Sequence, residues 1–238
     1  MTLTGFGRPR HHLRTTDSTN ERARELAEAG APSGAVVTAD KQTAGPGRRG
    51  RAWSAPPGKA LLYSAILRDL DERHALLPLA VPLAVCEAIE AVAPLSCRVK
   101  WPNDVWIDGS KVAGVLIEAQ PPDWAVIGIG INVAIEPDEF PPQLRWPATS
   151  VGRGATVPGI LASLNEALSG WVVRPADETL ASFRERDALQ GREVAWAGAG
   201  EGNGVARGID DRGNLVVETS GDGRVALGAG EVTLRVDS

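Results

Sequence analysis

Residues 100–118 read Lys-Trp-Pro-Asn-Asp-Val-Trp-Ile-Asp-Gly-Ser-Lys-Val-Ala-Gly-Val-Leu-Ile-Glu. Arg98–Lys100 and Asp104–Asp108 are strand-like segments, rich in β-branched and aromatic residues. Trp101-Pro102 favours extended backbone between them, because a proline restricts the residue before it. Asp108-Gly109-Ser110 is a tight-turn sequence, and Lys111–Ala119 returns as a strand. The pattern predicts a hairpin with Asp104 and Lys111 near its base or mouth. The residues alone leave two readings of that pair open: a reactive constellation, or an exposed hairpin lysine beside a turn carboxylate that bonds backbone.

Working outward, a second stretch runs Gln42-Thr-Ala-Gly-Pro-Gly-Arg-Arg-Gly-Arg-Ala-Trp53. Gly45, Gly47 and Gly50 let the backbone turn sharply and approach a ligand, and such turns can aim several N–H groups at one anion. Arg48, Arg49 and Arg51 add permanently charged donor forks that match phosphate or carboxylate oxygens. No Gly-Lys-Ser/Thr follows, so this is not a P-loop. A solvated basic loop is the competing reading. Trp53 either anchors the far end of the loop or simply fills core. Further along, Gly114, Gly128 and Gly130 interrupt otherwise apolar strands. Interior glycine weakens a strand and marks close approach by something else, here read as a flat ligand lying against the sheet.

Together these stretches closely resemble the biotin protein ligases, which attach biotin to a lysine of a carrier protein. The family's Gly-Arg-Gly-Arg-Arg-Gly loop and Lys-Trp-Pro-Asn-Asp motif occur in matching order, with a Ser18-Thr19-Asn20 start and a Gly128–Asn132 Gly-Ile-Gly-Ile-Asn strand. The resemblance spans roughly residues 15–235. One position departs: Pro46 stands where the family usually has arginine, so the loop loses a charge and some freedom.

The resemblance implies an α+β fold, a mixed β-sheet with helices of the class II synthetase/biotin ligase kind over residues 1–188. A small SH3-like β-barrel would follow over 189–238. It implies biotin and ATP as substrates, Mg²⁺ with the nucleotide, and a biotin carboxyl carrier domain as partner. Lys111 would contact the biotin carboxylate and the α-phosphate, Arg48 would latch the loop, and Asp104 would orient the incoming lysine amine. Ser18, Thr19, Asn20, Gln42, Gly45, Pro46, Gly47, Arg49, Arg51 and Trp53 would complete the biotin and adenylate pocket from the first half of the chain. Asn103, Gly114, Val115, Leu116, Gly128, Gly130 and Asn132 would do so from the sheet. Asn132 is assigned to the ribose or phosphate side. No dedicated metal motif is visible. Two rivals stay open: a lipoate or octanoyl transferase on a related fold, and a non-catalytic module that only binds.

The rest of the chain fits that frame. Its 238 residues suffice for one large domain plus a small module. Net charge is −5, which argues against general nucleic-acid affinity and makes the arginine loop a local feature. Cys86 and Cys97 have no metal-ligand spacing and read as reduced thiols. The first residues lack an apolar signal core and no run is long enough to span a membrane, so a cytoplasmic protein is expected. Seventeen residues precede Ser18, too few for the helix-turn-helix domain of some relatives, so no DNA partner is expected. Monomer and homodimer both remain open. The adjacent His11 and His12 would face opposite ways on a strand and make a poor metal pair.

Ser18 followed by Glu21 predicts a capping box opening a helix from Thr19 to Ala29, closed by Gly30. Ala35–Asp40 and Ala60–Leu67 read as strands. Ala75–Val92 reads as a long apolar helix with Pro78 in its first turn and a bend at Pro82. Trp124–Val133 is a further strand, residues 134–157 an irregular connection, and Val157–Trp171 and Ala176–Arg186 are helices. Beyond Leu189 the composition shifts. Eleven of the 27 glycines lie between Gly191 and Gly230, with short alternating strands between them, the pattern of a small β-barrel.

Overall fold

The computed structural model describes residues 5–144, 146–152, 154–197, 200–221, 223–228 and 231–234. Its first sheet is built from β1 (Arg10–Leu13), β2 (Val36–Ala39), β3 (Ala60–Arg68), β4 (Arg98–Lys100), β5 (Asp104–Ile107), β6 (Ser110–Gln120) and β7 (Trp124–Asn132). These lie in the order β1-β2-β3-β7-β6-β5-β4. Only the β1–β2 pair is parallel. The sheet is therefore mixed, as expected.

Strand alternation sorts the side chains. On β3, Leu61, Tyr63, Ala65 and Leu67 join Ala113, Val115, Ile127, Ile129 and Ile131 in the main core. Helices α2 (Leu77–Glu90) and α3 (Val157–Trp171) contribute Val81, Val85, Ile160 and Leu164 to it. The 3-10 turn Glu72–Leu76 leads into α2, and Pro78 sits in its first turn, where no intrahelical N–H is needed. Pro82 lies inside α2, which the structure keeps as one element. Cys86 is fully buried there.

The other face of the sheet carries α1 (Thr19–Glu28). Here two separate apolar clusters form. One holds Ala23, Ala27, Val37, Ile66 and Val126; the other holds Ala60, Leu62 and Ile135, with Trp53 and Phe140 against them. Between them the sheet presents Ser64, Gly128, Gly130, Gly114 and Leu116, aligned by Leu62↔Gly130, Ser64↔Gly128, Gly114↔Gly130 and Leu116↔Gly128. This interruption of the apolar surface is what opens a site.

Three expectations are corrected. Ser18 caps α1 by accepting from the Glu21 N–H at 3.3 Å, but Glu21 pairs with Arg24 instead of returning the bond, so only half of the capping box forms. Residues 101–103 are a turn and not an extended link, because Lys100 pairs directly with Asp104 across them. Helix α1 stops at Glu28, one residue early, with Gly30 at φ +89° behind it.

Helix α4 (Ala176–Arg186) leads to a second, antiparallel sheet. It comprises β8 (Glu193–Ala197), β9 (Gly202–Ile209), β10 (Leu215–Glu218), β11 (Arg224–Leu227) and β12 (Glu231–Leu234), in the order β11-β10-β9-β8-β12. The short strands expected beyond Leu189 are present. Among the described residues no pairing of β11 with β12 closes the sheet into a barrel. The module is seated on the Lys100-Trp101 segment: buried Lys100 donates to the Val232 carbonyl (2.8 Å) and Trp101 Nε1 to the Gly213 carbonyl (3.1 Å). Val194, Ala206, Leu215 and Val232 belong to the same buried cluster as the first sheet. Among the described residues no helix is long and apolar enough to cross a membrane.

Candidate active site

The cleft lies over the gap between the two apolar clusters. Counted out to its mouth it has about 710 Å³, within the range of small-molecule sites. Its floor is Gly114, Leu116, Gly128 and Gly130; Thr19, Asn20 and Gln42 wall one side, and Pro46, Gly47, Arg48, Arg51 and Trp53 cover it. Asn103, Asp104 and Lys111 close the other end.

The cover is a small hairpin. Trp53 N–H donates to the Gly45 carbonyl (2.9 Å) and Gly47 N–H to the Arg51 carbonyl (2.7 Å), with a 3-10 turn at Arg48–Gly50 as its tip. Pro46 faces Ala52 between these bonds. An N–H at position 46 would point away from the ladder, so proline removes no bond, and its fixed φ suits the strand-like path. The departure from the family pattern is thus tolerated by the backbone. At the tip, an Arg48 guanidinium N–H donates to Asn103 Oδ1 (3.3 Å), joining loop to sheet. Asn103 is itself clamped to β6: its Nδ2 donates to the Val115 carbonyl at 2.5 Å. The Arg49 side chain lies outside the described residues.

The hairpin's far end is pinned by Trp53. A Cβ on Gly130 would overlap its indole, and one on Gly114 would lie 3.2 Å from the ring and 3.0 Å from Lys111 Nζ. A Cβ on Gly128 would overlap the Asn20 carboxamide. The reading of these glycines as close-approach positions is right, but what approaches is protein: an indole and a carboxamide take the places assigned to a flat ligand. Lys111 Nζ is 2.6 Å from Asp104 Oδ1 and 5.5 Å from the Trp53 ring centroid. The ammonium is thereby fixed in place between a carboxylate and a π-face.

With this geometry in hand, residues 13–132 match the biotin/lipoate A/B protein ligase family and residues 191–235 match the biotin protein ligase C-terminal domain. The chain belongs to the biotin/lipoate A/B protein ligase family. It is 35% identical over 231 residues to the biotin–[acetyl-CoA-carboxylase] ligase of Mycobacterium tuberculosis, covering 91% of this chain and 85% of that one. A 144-residue stretch is 42% identical to the bifunctional ligase/repressor of Bacillus subtilis, covering 58% of this chain but only 44% of that protein's length. The fold superimposes on a biotin protein ligase from Aquifex aeolicus in complex with biotin and ATP, with TM-score 0.84 and 30% identity. That match covers 97% of this chain and all of the other.

Within this biotin/lipoate ligase fold, the polar wall of the cleft is a single hydrogen-bonded chain. Gln42 Oε1 accepts from the Thr19 backbone N–H (2.7 Å) and from Thr19 Oγ1 (2.9 Å). Ser64 Oγ lies 2.8 Å from Thr19 Oγ1 and 2.6 Å from Asn20 Oδ1. Asn20 Nδ2 donates to Glu118 at 2.7 Å. Thr19, Asn20 and Ser64 are all buried.

Four predicted site residues lie elsewhere than expected or outside the description. Ser18 acts as the α1 cap and is not on the cleft wall. Gly45 makes room for the Gln42 amide behind the loop. Asn132, assigned to the ribose or phosphate side, is instead buried at the end of β7 with Nδ2 donating to the Thr149 carbonyl (3.0 Å). Arg49 is the fourth. Sequence reasoning missed Ala52, Leu62, Tyr63 and Ile129 in the lining. It also missed Ser64 and Glu118 behind it. Leu62 and Ser64 carried a signal: they alternate with the core-facing residues of β3 and so share the face of Gly128 and Gly130. Tyr63 and Ile129 carried none, because their side chains join the opposite core and only their backbone reaches the cleft.

Among the described residues no group of three or more His, Cys, Asp or Glu could hold a metal. Asp104 is the one carboxylate in the cleft lining, and it already pairs with Lys111. These residues fit a Mg²⁺ that arrives on nucleotide phosphates, with Asp104 or Asn103 supplying an oxygen at most, and do not fit a protein-built cage.

Proposed function

We propose that this chain is an ATP-dependent biotin protein ligase. It joins biotin to ATP as biotinyl-5′-adenylate with release of pyrophosphate. It then passes the biotinyl group to a lysine of a biotin carboxyl carrier domain, releasing AMP. The observation that carries this reading is the lining of the cleft. Arg48, Arg51 and Lys111 supply positive charge to the lining, Thr19 and Gln42 make a polar corner, and the floor is lined by Gly114, Gly128 and Gly130, with the Trp53 indole packed against it. Biotin carries the matching groups: a carboxylate at the end of an apolar chain, and a ureido group with two N–H donors on its rings.

In the first step a biotin carboxylate oxygen attacks the α-phosphorus and the bond to pyrophosphate breaks. Two anions must meet, so fixed positive charge is needed where charge builds up. Lys111 uses one of its three donors on Asp104, which leaves two to face carboxylate and phosphate oxygens. Arg48 and Arg51 approach from the loop, which also excludes water from a hydrolysable anhydride. Mg²⁺ on the phosphates would neutralise further charge. In the second step the carrier amine attacks the acyl carbon, its proton is lost and AMP departs. A free lysine amine is mostly protonated at neutral pH, and Asp104, beside the acyl end of the cleft, orients that amine and draws off its proton.

The relative from M. tuberculosis is named for acetyl-CoA carboxylase, which supports a carboxylase carrier as partner. The free, buried Cys86 and Cys97 fit a reducing, ATP-supplied compartment, the cytoplasm. Pyrophosphate–ATP exchange with purified protein, comparing biotin, lipoate and octanoate, tests the proposal. Exchange that requires biotin is expected. Exchange with lipoate moves the chain to the lipoate branch, and no exchange with any acid leaves a binding module.

A further inference from the structure

The pairing of β7 with β6 ends at Ala113↔Ile131, short of Lys111. A later stretch of chain takes its place. Lys111 N–H donates to the Pro147 carbonyl (2.8 Å), Thr149 N–H donates to the Lys111 carbonyl (2.9 Å), and Ala148 lies beside Lys111 in a parallel bridge. The main chain of the cleft cation is therefore held by the connection between β7 and α3. The described residues of that connection, within 133–152, form two arms that are joined to each other. Ser150 Oγ accepts from the Ile135 N–H (3.1 Å) and donates to the Ile135 carbonyl (2.9 Å), and Gly152 N–H donates to the Val133 carbonyl (3.0 Å). The outward arm is pinned at one residue, Lys59, where the chain returns from the arginine cover to β3. The Lys59 carbonyl accepts from the Val133 and Ala134 N–H groups (3.0 and 2.9 Å). The 3-10 turn Pro137–Glu139 then brings Glu139 back to the same residue, and Lys59 Nζ lies 2.5 Å from both carboxylate oxygens. Glu139 Oε2 also accepts from the Glu136 N–H (2.9 Å). Lys59, first, and the Glu136 N–H hold the Glu139 carboxyl below its usual range.

We propose that Lys59 and Glu139 are positioning residues for the nucleotide half of the reaction: their ion pair fixes the outward arm, and through it the return arm that holds Lys111. Neither residue lines the cleft, and no described residue of 133–152 does. Biotin on the glycine floor is therefore little affected by the placement of these arms. ATP is affected, because its α-phosphorus meets the biotin carboxylate at Lys111 and the rest of the nucleotide extends past that residue. Phe140, next to Glu139, packs against Ala60, Leu62 and Ile135, the cluster that Trp53 of the cover also meets. The ion pair thus ties the arm down at the same place where the cover is seated. Both side chains are partly exposed, 38% for Lys59 and 31% for Glu139, so the pair adds little to global stability and its charges can be exchanged without disturbing the core.

This inference rests on the proposed ligase reading, and the test separates the two. The measurement is the KM for ATP and the KM for biotin in pyrophosphate–ATP exchange, for the wild type, Lys59→Glu, Glu139→Lys and the double variant with the two charges exchanged. Each single variant sets like charges face to face and pushes the arm away from Lys59. Each should raise the ATP KM about fivefold and leave the biotin KM within about twofold of the wild type. The exchanged pair restores the attraction in reverse, so the double variant should return the ATP KM to within about twofold of the wild type. A pair that only supports the fold would move both KM values together, along with the urea unfolding midpoint. A wild-type ATP KM in both single variants overturns the assignment. So does an equal rise in the two KM values, or a double variant no better than the single ones. A wild type that gives no biotin-dependent exchange overturns the functional reading itself, and this inference with it.

Discussion

Lys111 Nζ stands 2.6 Å from Asp104 Oδ1, so the cation at the acyl end of the cleft and the carboxylate nearest to it are one ion pair. The pair is partly shielded, with side chains 27% and 14% exposed. In the proposed reaction the two residues serve different steps. Lys111→Met removes a donor from the developing charge and should lower biotin-dependent pyrophosphate–ATP exchange about 10²–10³-fold. Asp104→Asn keeps an oxygen for Lys111, so exchange should fall less than about tenfold. Transfer from preformed adenylate to the carrier lysine should fall about 10²-fold or more, because the amide cannot take the amine's proton. Exchange and single-turnover transfer measured side by side check this. Equal losses in both would reduce Asp104 to a support for Lys111.

The Arg48–Asn103 bond joins the loop tip to the sheet. Arg48→Gly removes it while Gly45, Gly47 and Trp53 keep the hairpin. Stability should change by about 0.5 kcal/mol or less, as for other surface changes. Retention of the adenylate should suffer, since the cover no longer latches. The expected outcome is biotinylation of an unrelated lysine-rich protein added to the reaction, rising about tenfold or more. Labelling at the wild-type level would exclude a latch role.

How much of this was legible in the sequence varies with the physical range of the signal. The Asp104–Lys111 pair was legible because a hairpin fixes distances between near neighbours. The helices at Val157–Trp171 and Ala176–Arg186 were legible because their apolar spacing is local. The Thr19–Gln42 contact was not, since it depends on where a loop 23 residues away returns. The role of Lys100 was hidden for the same reason: only the fold brings it to the Val232 carbonyl, 132 residues on. Asn132 was misplaced because a strand-end asparagine bonds a ligand or a neighbouring loop equally well, and the connection from Thr149 to Val151 reaches it first.

Gly130 lies between β3 and β6, paired to Leu62 and Gly114, so its backbone cannot retreat from Trp53. In Gly130→Ala the new methyl displaces the indole from its seat beside Leu62 and Ile135. The cost is about 1–3 kcal/mol if the ring stays, and less if the loop lifts with it. Either way the cover opens. Trypsin should then cut after the arginines at 48–51 several-fold faster than in the wild type, and exchange should fall with it. Unchanged cleavage would show that Trp53 does not hold the loop.

Asp187 follows α4 and is 3% exposed, with Oδ1 accepting from the Leu189 N–H (2.8 Å) and Oδ2 buried without a hydrogen-bond partner. Burial pushes its carboxyl up from 3.8 to about 6, against the opposing pull of backbone N–H groups and Arg98. The folded state thus binds this proton more tightly than the unfolded chain. The resulting stability is fully present below pH 3.8 and is lost as pH rises through about 6. At pH 7.5 the folded protein holds a charged carboxylate in a dry site. Asp187→Asn keeps the acceptor for Leu189 and removes the charge. It should stabilise the protein at pH 7.5 by up to about 3 kcal/mol, at about 1.4 kcal/mol per pKa unit. The advantage should shrink as pH falls through about 6 and be gone near pH 4. Urea unfolding of both proteins from pH 4 to 8 measures it, and a difference that does not vary with pH would show that Asp187 stays ionised throughout.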